Sequence, residues 1–344
     1  MTHTNSYHYA PSLYHQQLMR TLQPSLTYRG GDVMAWQQEL RAKVVELLGF
    51  ELQTGTRVPL NVRTLWQRDH AYGTIEKIVF TSEPAVDVPA YLCLPAHVAP
   101  PYRCFICLQG HTTGMHNSIG VDRQDESLSI EAEGDRDFGI GCMRHGMAAL
   151  CLEQRSFGER QETIQPQHLD YLRHQAAMNA LLLGRTLLGE RIFDVDRAID
   201  YLAARGDMDV TRIGVMGNSG GGTTSLFAAA LLSRLRYAVP SCCFSTFQAS
   251  IQSMLHCVCN YVPGLLQFAD MGDIAGLIAP KPLLLVSGDE DGIFPIDATR
   301  HEFARVQQIY SAAGSADACQ HLICHGGHRF YAADAWSLFL AAFN

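Results

Sequence analysis

The strongest chemical feature of the sequence is Ser219, at the centre of the pentapeptide Gly217-Asn-Ser-Gly-Gly221. An apolar segment that is predicted to be a strand, Arg212–Met216, precedes it, and a small-residue segment typical of a helix follows it. A serine on such a sharp strand-to-helix turn takes a strained backbone, so its neighbours two positions away must be small. Gly217 and Gly221 meet that need. The pattern predicts a nucleophilic serine, with the backbone N–H of Gly220 directed at a developing oxyanion.

Two other glycine-rich motifs fit this segment less well. The spacing of Gly217 and Gly222 agrees with a phosphate-binding loop, but Thr223 stands where that loop requires lysine. The dinucleotide-binding pattern Gly-x-Gly-x-x-Gly has no match in this stretch. A turn of purely structural importance remains the alternative.

A serine hydroxyl becomes a good nucleophile when a histidine takes its proton and a carboxylate orients that histidine. In hydrolases with this turn, the acid and then the histidine follow the serine along the chain. The apolar segment Leu283–Ser287 leads into Gly-Asp-Glu-Asp, and Phe294-Pro295 follows shortly after. This position predicts Asp291 as the acid, with Asp289 and Glu290 as alternatives. The fragment Asp-x-Asp-Gly lacks the remaining ligands of an EF-hand calcium loop.

The predicted base is His328, on a glycine-containing loop between the last predicted strand and a C-terminal helix, with His325 as the alternative. These two histidines have no third ligand at a metal-binding spacing, so a metal site is not expected. Ester hydrolysis by a serine, a histidine and a carboxylate needs no organic cofactor, so none is expected either. A second oxyanion donor is expected from the loop after an earlier apolar strand, where the backbone N–H of His111 is the candidate. The His111 side chain is then a pocket wall, a substrate contact or an ordinary loop residue.

The elements that must carry these residues follow from the hydrophobic pattern. Between residues 60 and 100 apolar residues alternate, which predicts an antiparallel meander. After residue 103, short apolar strands alternate with helices, as in a mostly parallel sheet with helices on both faces. The predicted strands are Val62–Trp66, Tyr72–Phe80, Ala90–Leu94, Cys104–Leu108, Ala148–Leu152, Arg212–Met216, Tyr237–Pro240, Leu283–Ser287 and His321–Cys324. The predicted helices include Trp36–Leu48, Arg191–Ala204, Thr223–Arg234 and Ala332–Phe343.

Residues 1–60 differ from the rest of the chain. Leu40, Val44 and Leu48 recur at helical spacing, and Gly49 is placed to end that helix. We therefore predict a helical N-terminal extension, residues 1–60, and a catalytic domain, residues 61–344. The extension packs against either the main domain or a second subunit, so a homo-oligomer is one expectation.

Two irregular segments, residues 112–146 and 245–280, are expected to form the walls of the site. The candidate wall residues are Met254, His256, Tyr261, Phe268 and Arg155. For each of them, ordinary packing within the fold is the favoured alternative.

The composition excludes several classes of function. The 344 residues carry a net charge of -8, and no run rich in lysine or arginine occurs, so a nucleic-acid partner is not expected. The N-terminus lacks a signal-peptide pattern and the apolar runs are too short to span a bilayer, so no membrane association is expected. Eleven cysteines, an odd number that lies mostly in apolar runs, indicate buried thiols in a reducing cytoplasm.

Together these residues make the chain resemble the α/β-hydrolase superfamily over roughly residues 60–344. Within it, the chain is similar to the acetyl xylan esterase and dienelactone hydrolase-like branch of bacterial esterases. One departure is Gln109, which replaces the usual histidine before the oxyanion glycine. The resemblance implies an α/β-hydrolase fold, a Ser219–His328–Asp291 triad and a carboxylic ester substrate. The similar segments are Leu108–His111, Glu153–Glu159, Gly217–Gly221, Gly288–Pro295 and Gly326–His328.

The sequence therefore predicts serine-dependent hydrolysis of a small carboxylic ester through an acyl-enzyme, for example an acetyl ester of a carbohydrate. One alternative is a peptidase or amidase related to prolyl oligopeptidases, although no β-propeller repeat precedes the domain. Another is a catalytically inactive α/β-hydrolase that acts as a binding protein. The presence of serine, aspartate and histidine in the required order argues against it.

Overall fold

The computed structural model describes residues 10–51, 55, 57–162 and 171–343; the predicted N-terminal extension lies partly outside these ranges. Nine strands form one sheet. They are β1 (Arg63–His70), β2 (Gly73–Glu83), β3 (Val86–Pro95), β4 (Tyr102–Leu108), β5 (Ala148–Leu152), β6 (Met208–Asn218), β7 (Tyr237–Ser241), β8 (Leu283–Gly288) and β9 (Cys319–Cys324).

The strands lie in the order β1-β2-β3-β5-β4-β6-β7-β8-β9. The first three form an antiparallel meander, and β3 also runs antiparallel to β5. Every pairing from β5 to β9 is parallel. The carboxyl ends of the parallel strands meet at one edge of the sheet, where sites of open α/β sheets are found. Ser219, Asp291 and His328 follow β6, β8 and β9 at that edge.

The described helices are α1 (Pro11–Thr21), α2 (Val33–Leu48), α3 (Phe138–Arg144), α4 (Tyr171–Leu182), α5 (Leu187–Arg205), α6 (Gly220–Leu231), α7 (Met271–Gly276), α8 (Ile296–Ala312) and α9 (Ala332–Phe343). They cover both faces of the sheet. Alternate side chains of β4 show this: Cys104 and Ile106 pack in one core with residues of α2, α5, α6, α7 and α8. Phe105 and Cys107 pack in a second core with residues of α3 and α9. The predicted α/β fold, with a mostly parallel sheet between helical layers, is confirmed.

Helix α2 belongs to the first of these cores. The Asp32 carboxylate accepts the N–H groups of the first turn, and Gly49 ends the helix in the left-handed conformation with φ 65°. Leu40, Val44 and Leu48 are fully buried among residues of the main domain. Of the two predicted locations for this helix, the structure has the one against the main domain.

Each predicted strand has a counterpart, with differences at the ends. Helix α6 begins at Gly220, three residues before the predicted start, because the glycine run was assigned to the turn on its low helix propensity. Those glycines have a packing reason. A Cβ on Gly222 would lie 2.6 Å from the carbonyl oxygen of Ser241, so the helix approaches β7 too closely for any side chain there.

Candidate active site

Ser219 lies between β6 and α6 with φ 57° and ψ -122°, a backbone conformation that residues other than glycine rarely adopt. The flanking glycines permit this turn. A Cβ on Gly217 would lie 2.5 Å from the carbonyl oxygen of Gly221, and a Cβ on Gly221 would overlap the carbonyl of Leu108. The Ser219 N–H donates to the carbonyl of Ser241 at 2.9 Å, which ties the turn to β7. The strained turn is thus held in place by the surrounding sheet.

His328 and Asp291 form a hydrogen-bonded pair beside this turn. The distance from Nδ1 of His328 to Oδ2 of Asp291 is 2.7 Å. The other oxygen, Oδ1, accepts the backbone N–H groups of Ile293 and Phe294 at 2.9 and 3.3 Å. Burial opposes the ionisation of Asp291, but the hydrogen bond and charge of His328 and these two N–H groups outweigh it. The pKa of Asp291 therefore lies below its ordinary value, and the carboxylate is charged at neutral pH.

The two alternative residues form a separate pair. Nδ1 of His325 lies 3.4 Å from Oδ2 of Asp289, and Oδ1 of Asp289 accepts the N–H of Gly326 at 2.9 Å. Both side chains are exposed to solvent, whereas Asp291 is buried. The structure thus brings Asp291 to His328 and leaves Asp289 at the surface. Glu290 is exposed as well.

The two predicted oxyanion donors lie next to each other. A Cβ on Gly220 would lie 2.5 Å from Cε1 of His111, so the imidazole ring packs directly on the first residue of α6. A Cβ on Gly110 would lie 3.2 Å from Cβ of Ser219. The loop that carries His111 therefore contacts the serine turn on two sides. This proximity places the backbone of His111 and that of Gly220 beside the nucleophile.

Gln109, the residue that departs from the family pattern, is buried, and its side chain holds this loop in place through hydrogen bonds. Its amide donates to Oγ of Ser118 and to the carbonyl of Arg136 at 2.8 and 2.7 Å. Its Oε1 accepts from the hydroxyl of Thr113 and the amide of Asn117. All of these bonds hold the segments around the site, so the Gln109 side chain determines loop position.

Ser219 and His328 face one cavity of about 760 Å³. Its other lining residues are His111, Thr112, Glu133, Arg136, Arg173, His174, Met254, Leu255, His256, Cys257, Val258 and Ile293. The two irregular segments, 112–146 and 245–280, contribute to these walls, as the sequence indicated.

Only two of the five candidate wall residues line the cavity, Met254 and His256. Arg155 instead forms buried ion pairs with Glu83 and Asp194. Tyr261 donates its hydroxyl to the carbonyl of Ile251 at 2.9 Å. Phe268 packs under the ammonium group of Lys43. For these three the wall interpretation is wrong, because each side chain is used in packing elsewhere.

Several cavity residues had no sequence signal of their own. The Arg136 side chain is almost fully buried, and its Nη1 would lie 3.0 Å from a Cβ on Gly110, beside the serine turn. Arg173 donates from Nη1 to the carbonyl of His111 at 3.0 Å. His256 is half-buried, with its ring centroid 6.2 Å from that of His111, and desolvation, followed by the charge of that neighbour, lowers its pKa to about 4. It is therefore neutral at pH 7 and adds no charge to the cavity.

Residues 13–335 match the Abhydrolase family. The chain belongs to that family. The match includes α2 and most of α1. A relative, the candidate hydrolase YtaP of Bacillus subtilis (strain 168), is 25% identical over 293 residues, which cover 84% of this chain and 93% of YtaP.

Solved structures of two esterases share the fold. A candidate acetyl xylan esterase from Bacteroides fragilis NCTC 9343 is 15% identical with a TM-score of 0.75, and the match covers 95% of this chain and 84% of that chain. A glucuronoyl esterase from Solibacter usitatus is also 15% identical, with a TM-score of 0.64 and coverage of 93% and 96%. Among the described residues, no helix is long and apolar enough to cross a membrane.

Proposed function

We propose that this member of the Abhydrolase family is a serine hydrolase that cleaves small carboxylic esters. Ser219 is the nucleophile, His328 the general base and acid, and Asp291 the carboxylate that orients the histidine. The backbone N–H groups of Gly220 and His111 are the oxyanion donors. The strand–turn–helix around Ser219 and the chain order of the three residues both support these roles.

One observation carries the proposal. His328 binds Asp291 through Nδ1, and its Nε2 is buried without a hydrogen-bond partner among the described residues. Most buried polar atoms have a hydrogen-bond partner, and a catalytic role is one explanation for an exception. Since His328 and Ser219 face the same cavity, Nε2 is the atom available to take the serine proton.

The chemistry then has two steps. His328 removes the hydroxyl proton as Ser219 attacks the ester carbonyl, and the negative oxygen is bound by the two N–H groups. The imidazolium gives its proton to the departing alcohol, which leaves an acyl-serine. Water attacks this ester with the same histidine as base, and the carboxylic acid is released. The ionised Asp291 stabilises the imidazolium in both steps.

The proposed substrate class is an acetyl ester or similar small ester on a carbohydrate. The cavity walls support a polar alcohol part, because Glu133, Arg136 and Arg173 supply charged groups that hydrogen-bond to hydroxyls. The esterases with a similar fold are named for esters of carbohydrates, which favours the same class here. The exposed Leu255 and half-buried Ile293 add apolar surface for a short acyl group.

The test has two stages. First, the protein is treated with a fluorophosphonate, and we expect a single adduct on Ser219 that Ser219→Ala abolishes. Second, nitrophenyl esters of increasing acyl length and acetylated sugars are compared with the corresponding amides. We expect hydrolysis of short-chain esters and sugar acetates, and a loss of at least ~10⁴-fold in Ser219→Ala.

The outcomes separate the alternatives. An unreactive Ser219 with a folded protein would indicate an inactive member of the family that binds its ligand without cleavage. Faster turnover of peptide amides than of esters would indicate a peptidase. A preference for long acyl chains would exclude the acetyl ester while leaving the serine mechanism intact.

Three further proposals concern the chain as a whole. We propose that residues 1–60 form an extension of a catalytic domain, residues 61–344, and that a homo-oligomer forms through this extension. The outward side chains of α1, among them the exposed Tyr14 and Leu18, support a surface contact there. Light scattering of the protein with and without residues 1–22 tests this assembly.

We also propose a cytoplasmic location, which is supported by the free thiols of all eleven cysteines.

A further inference from the structure

Two thiols and an imidazole meet behind one wall of the cavity. Cys257 and Cys259 lie on a short turn, and their sulfur atoms are 3.1 Å apart. Nε2 of His111 lies 3.1 Å from Sγ of Cys259. All three ligand atoms lie within 4.8 Å of one another. The proposed esterase chemistry uses only the backbone of His111, so it explains none of these three side chains.

The chemistry of this set matches a thiophilic cation. Thiolate and imidazole are the protein ligands that Zn²⁺ prefers, at about 2.3 Å to sulfur and about 2.0 Å to nitrogen. Tetrahedral bonding at those lengths sets the two sulfurs about 3.8 Å apart, and sulfur and nitrogen about 3.6 Å apart. Both observed separations are 3.1 Å, shorter by about 0.7 Å between the sulfurs and about 0.5 Å between sulfur and nitrogen, so the side chains must rotate apart to admit the ion.

We propose that Cys257, Cys259 and His111 form a binding site for a thiophilic divalent cation, with Zn²⁺ as the probe. Two thiol protons are released to solvent when the ion binds as a two-thiolate, one-imidazole complex. A three-ligand zinc site keeps a fourth position for water or a substrate atom. His111 and Cys257 line the cavity, so that position opens toward the substrate space.

The surroundings of the site are suited to this role. Cys259 packs in a small apolar cluster with Ala177 and Leu187, which limits the access of water. Two thiolates balance the charge of the ion. The ion joins the turn at 257–259 to the loop of His111, so it links two walls of the cavity.

A second group of ligand atoms, Cys242, Asp291 and His328, gives the matched control. It overlaps the proposed catalytic residues, and a metal there would occupy the base. Cys242→Ser changes this second group and leaves the first one intact. Cys257→Ser and Cys259→Ser change only the proposed site.

The experiment measures zinc binding to reduced, chelator-treated full-length protein by competition with a chromophoric chelator. We expect one equivalent of Zn²⁺ in the parent, in Cys242→Ser and in Ser219→Ala. We expect Cys257→Ser and Cys259→Ser each to lose at least ~100-fold in affinity, because removal of a direct ligand exceeds the 10–100-fold typical of an outer-shell change. Binding by Ser219→Ala keeps this result independent of the esterase proposal.

A second measurement covers the case in which a serine variant does not fold. The parent protein is alkylated with iodoacetamide with and without Zn²⁺, and the modified cysteines are mapped by peptide mass spectrometry. Protection of Cys257, the more exposed of the two thiols, supports the site. Absence of zinc binding, alkylation of Cys257 that is the same with and without Zn²⁺, or loss of binding in Cys242→Ser alone would overturn it.

Discussion

His328 and Asp291 are joined by a hydrogen bond of 2.7 Å, although 36 residues separate them in the chain. The bond exists because β8 and β9 are parallel neighbours, so the loops after both strands leave the sheet at the same edge. The same two loops carry a second, exposed pair, Asp289 and His325. The chain therefore contains its own matched control for the role of the buried pair.

Asp291→Asn should lower kcat by roughly 10⁴-fold, because an amide holds the imidazole in the wrong tautomer and cannot stabilise the imidazolium. Asp289→Asn should change kcat by less than about twofold, since its partner His325 is exposed. Both rates are measured with the same short-chain nitrophenyl ester. Equal effects of the two substitutions would contradict the assignment of Asp291. A large effect of Asp289→Asn alone would identify Asp289 as the carboxylate that orients the histidine.

The sequence predicted those parts of the site whose positions depend on local pattern. Ser219, Asp291 and His328 each follow a strand that is recognisable from its apolar run, and parallel strands bring their carboxyl ends together. His111 was placed by the same logic. Arg136 and Cys259 could not be identified, because their positions depend on how the irregular segments 112–146 and 245–280 pack. That packing rests on long-range contacts of loops, such as the bond of Gln109 to the carbonyl of Arg136.

Gly220→Ala should lower kcat by ~10²–10³-fold, the cost of losing one oxyanion donor. The new methyl group would lie 2.5 Å from Cε1 of His111, so the loop of His111 or the start of α6 must move. Activity is measured beside Gly55→Ala, a position with open space around it. Gly220→Ala should also unfold at a lower urea concentration than Gly55→Ala, because overpacking a buried position costs about 1–3 kcal/mol.

A double variant tests the cause. Removing the ring with His111→Ala keeps the backbone N–H and makes room for the methyl group. Gly220→Ala combined with His111→Ala should therefore be more active than Gly220→Ala alone. If the decreases in kcat of the two single variants simply add in the double variant, the contact between the His111 ring and residue 220 is not the cause of the loss in Gly220→Ala.

Leu40→Ala should lower the free energy of unfolding by about 2–5 kcal/mol, the usual cost of this truncation in a packed core. Leu40 lies on α2 and is fully buried among residues of the main domain. Met34→Ala, on the same helix at a position that is 76% exposed, should cost less than about 0.5 kcal/mol. Urea unfolding of both variants is compared. Equal, small losses would mean that α2 is a loosely attached extension.

Glu153→Gln should stabilise the protein increasingly as the pH rises from 5 to 8. Glu153 is buried beside the N–H groups of Met115 and Glu159, and burial, only partly opposed by these bonds, raises its pKa from 4.5 to about 7. Between those two values the folded state holds a proton that the unfolded state has lost, so stability falls as the pH rises toward 7. Glutamine does not titrate and is free of that loss. The difference in unfolding free energy between Glu153→Gln and the parent should therefore grow by about 1–3 kcal/mol and level off above pH 8. Urea unfolding at four pH values gives this difference directly. The control is Glu131→Gln at an exposed position, for which the difference in unfolding free energy from the parent should stay constant. A difference that is also constant for Glu153→Gln would show that this carboxyl is ionised in the folded protein throughout the range.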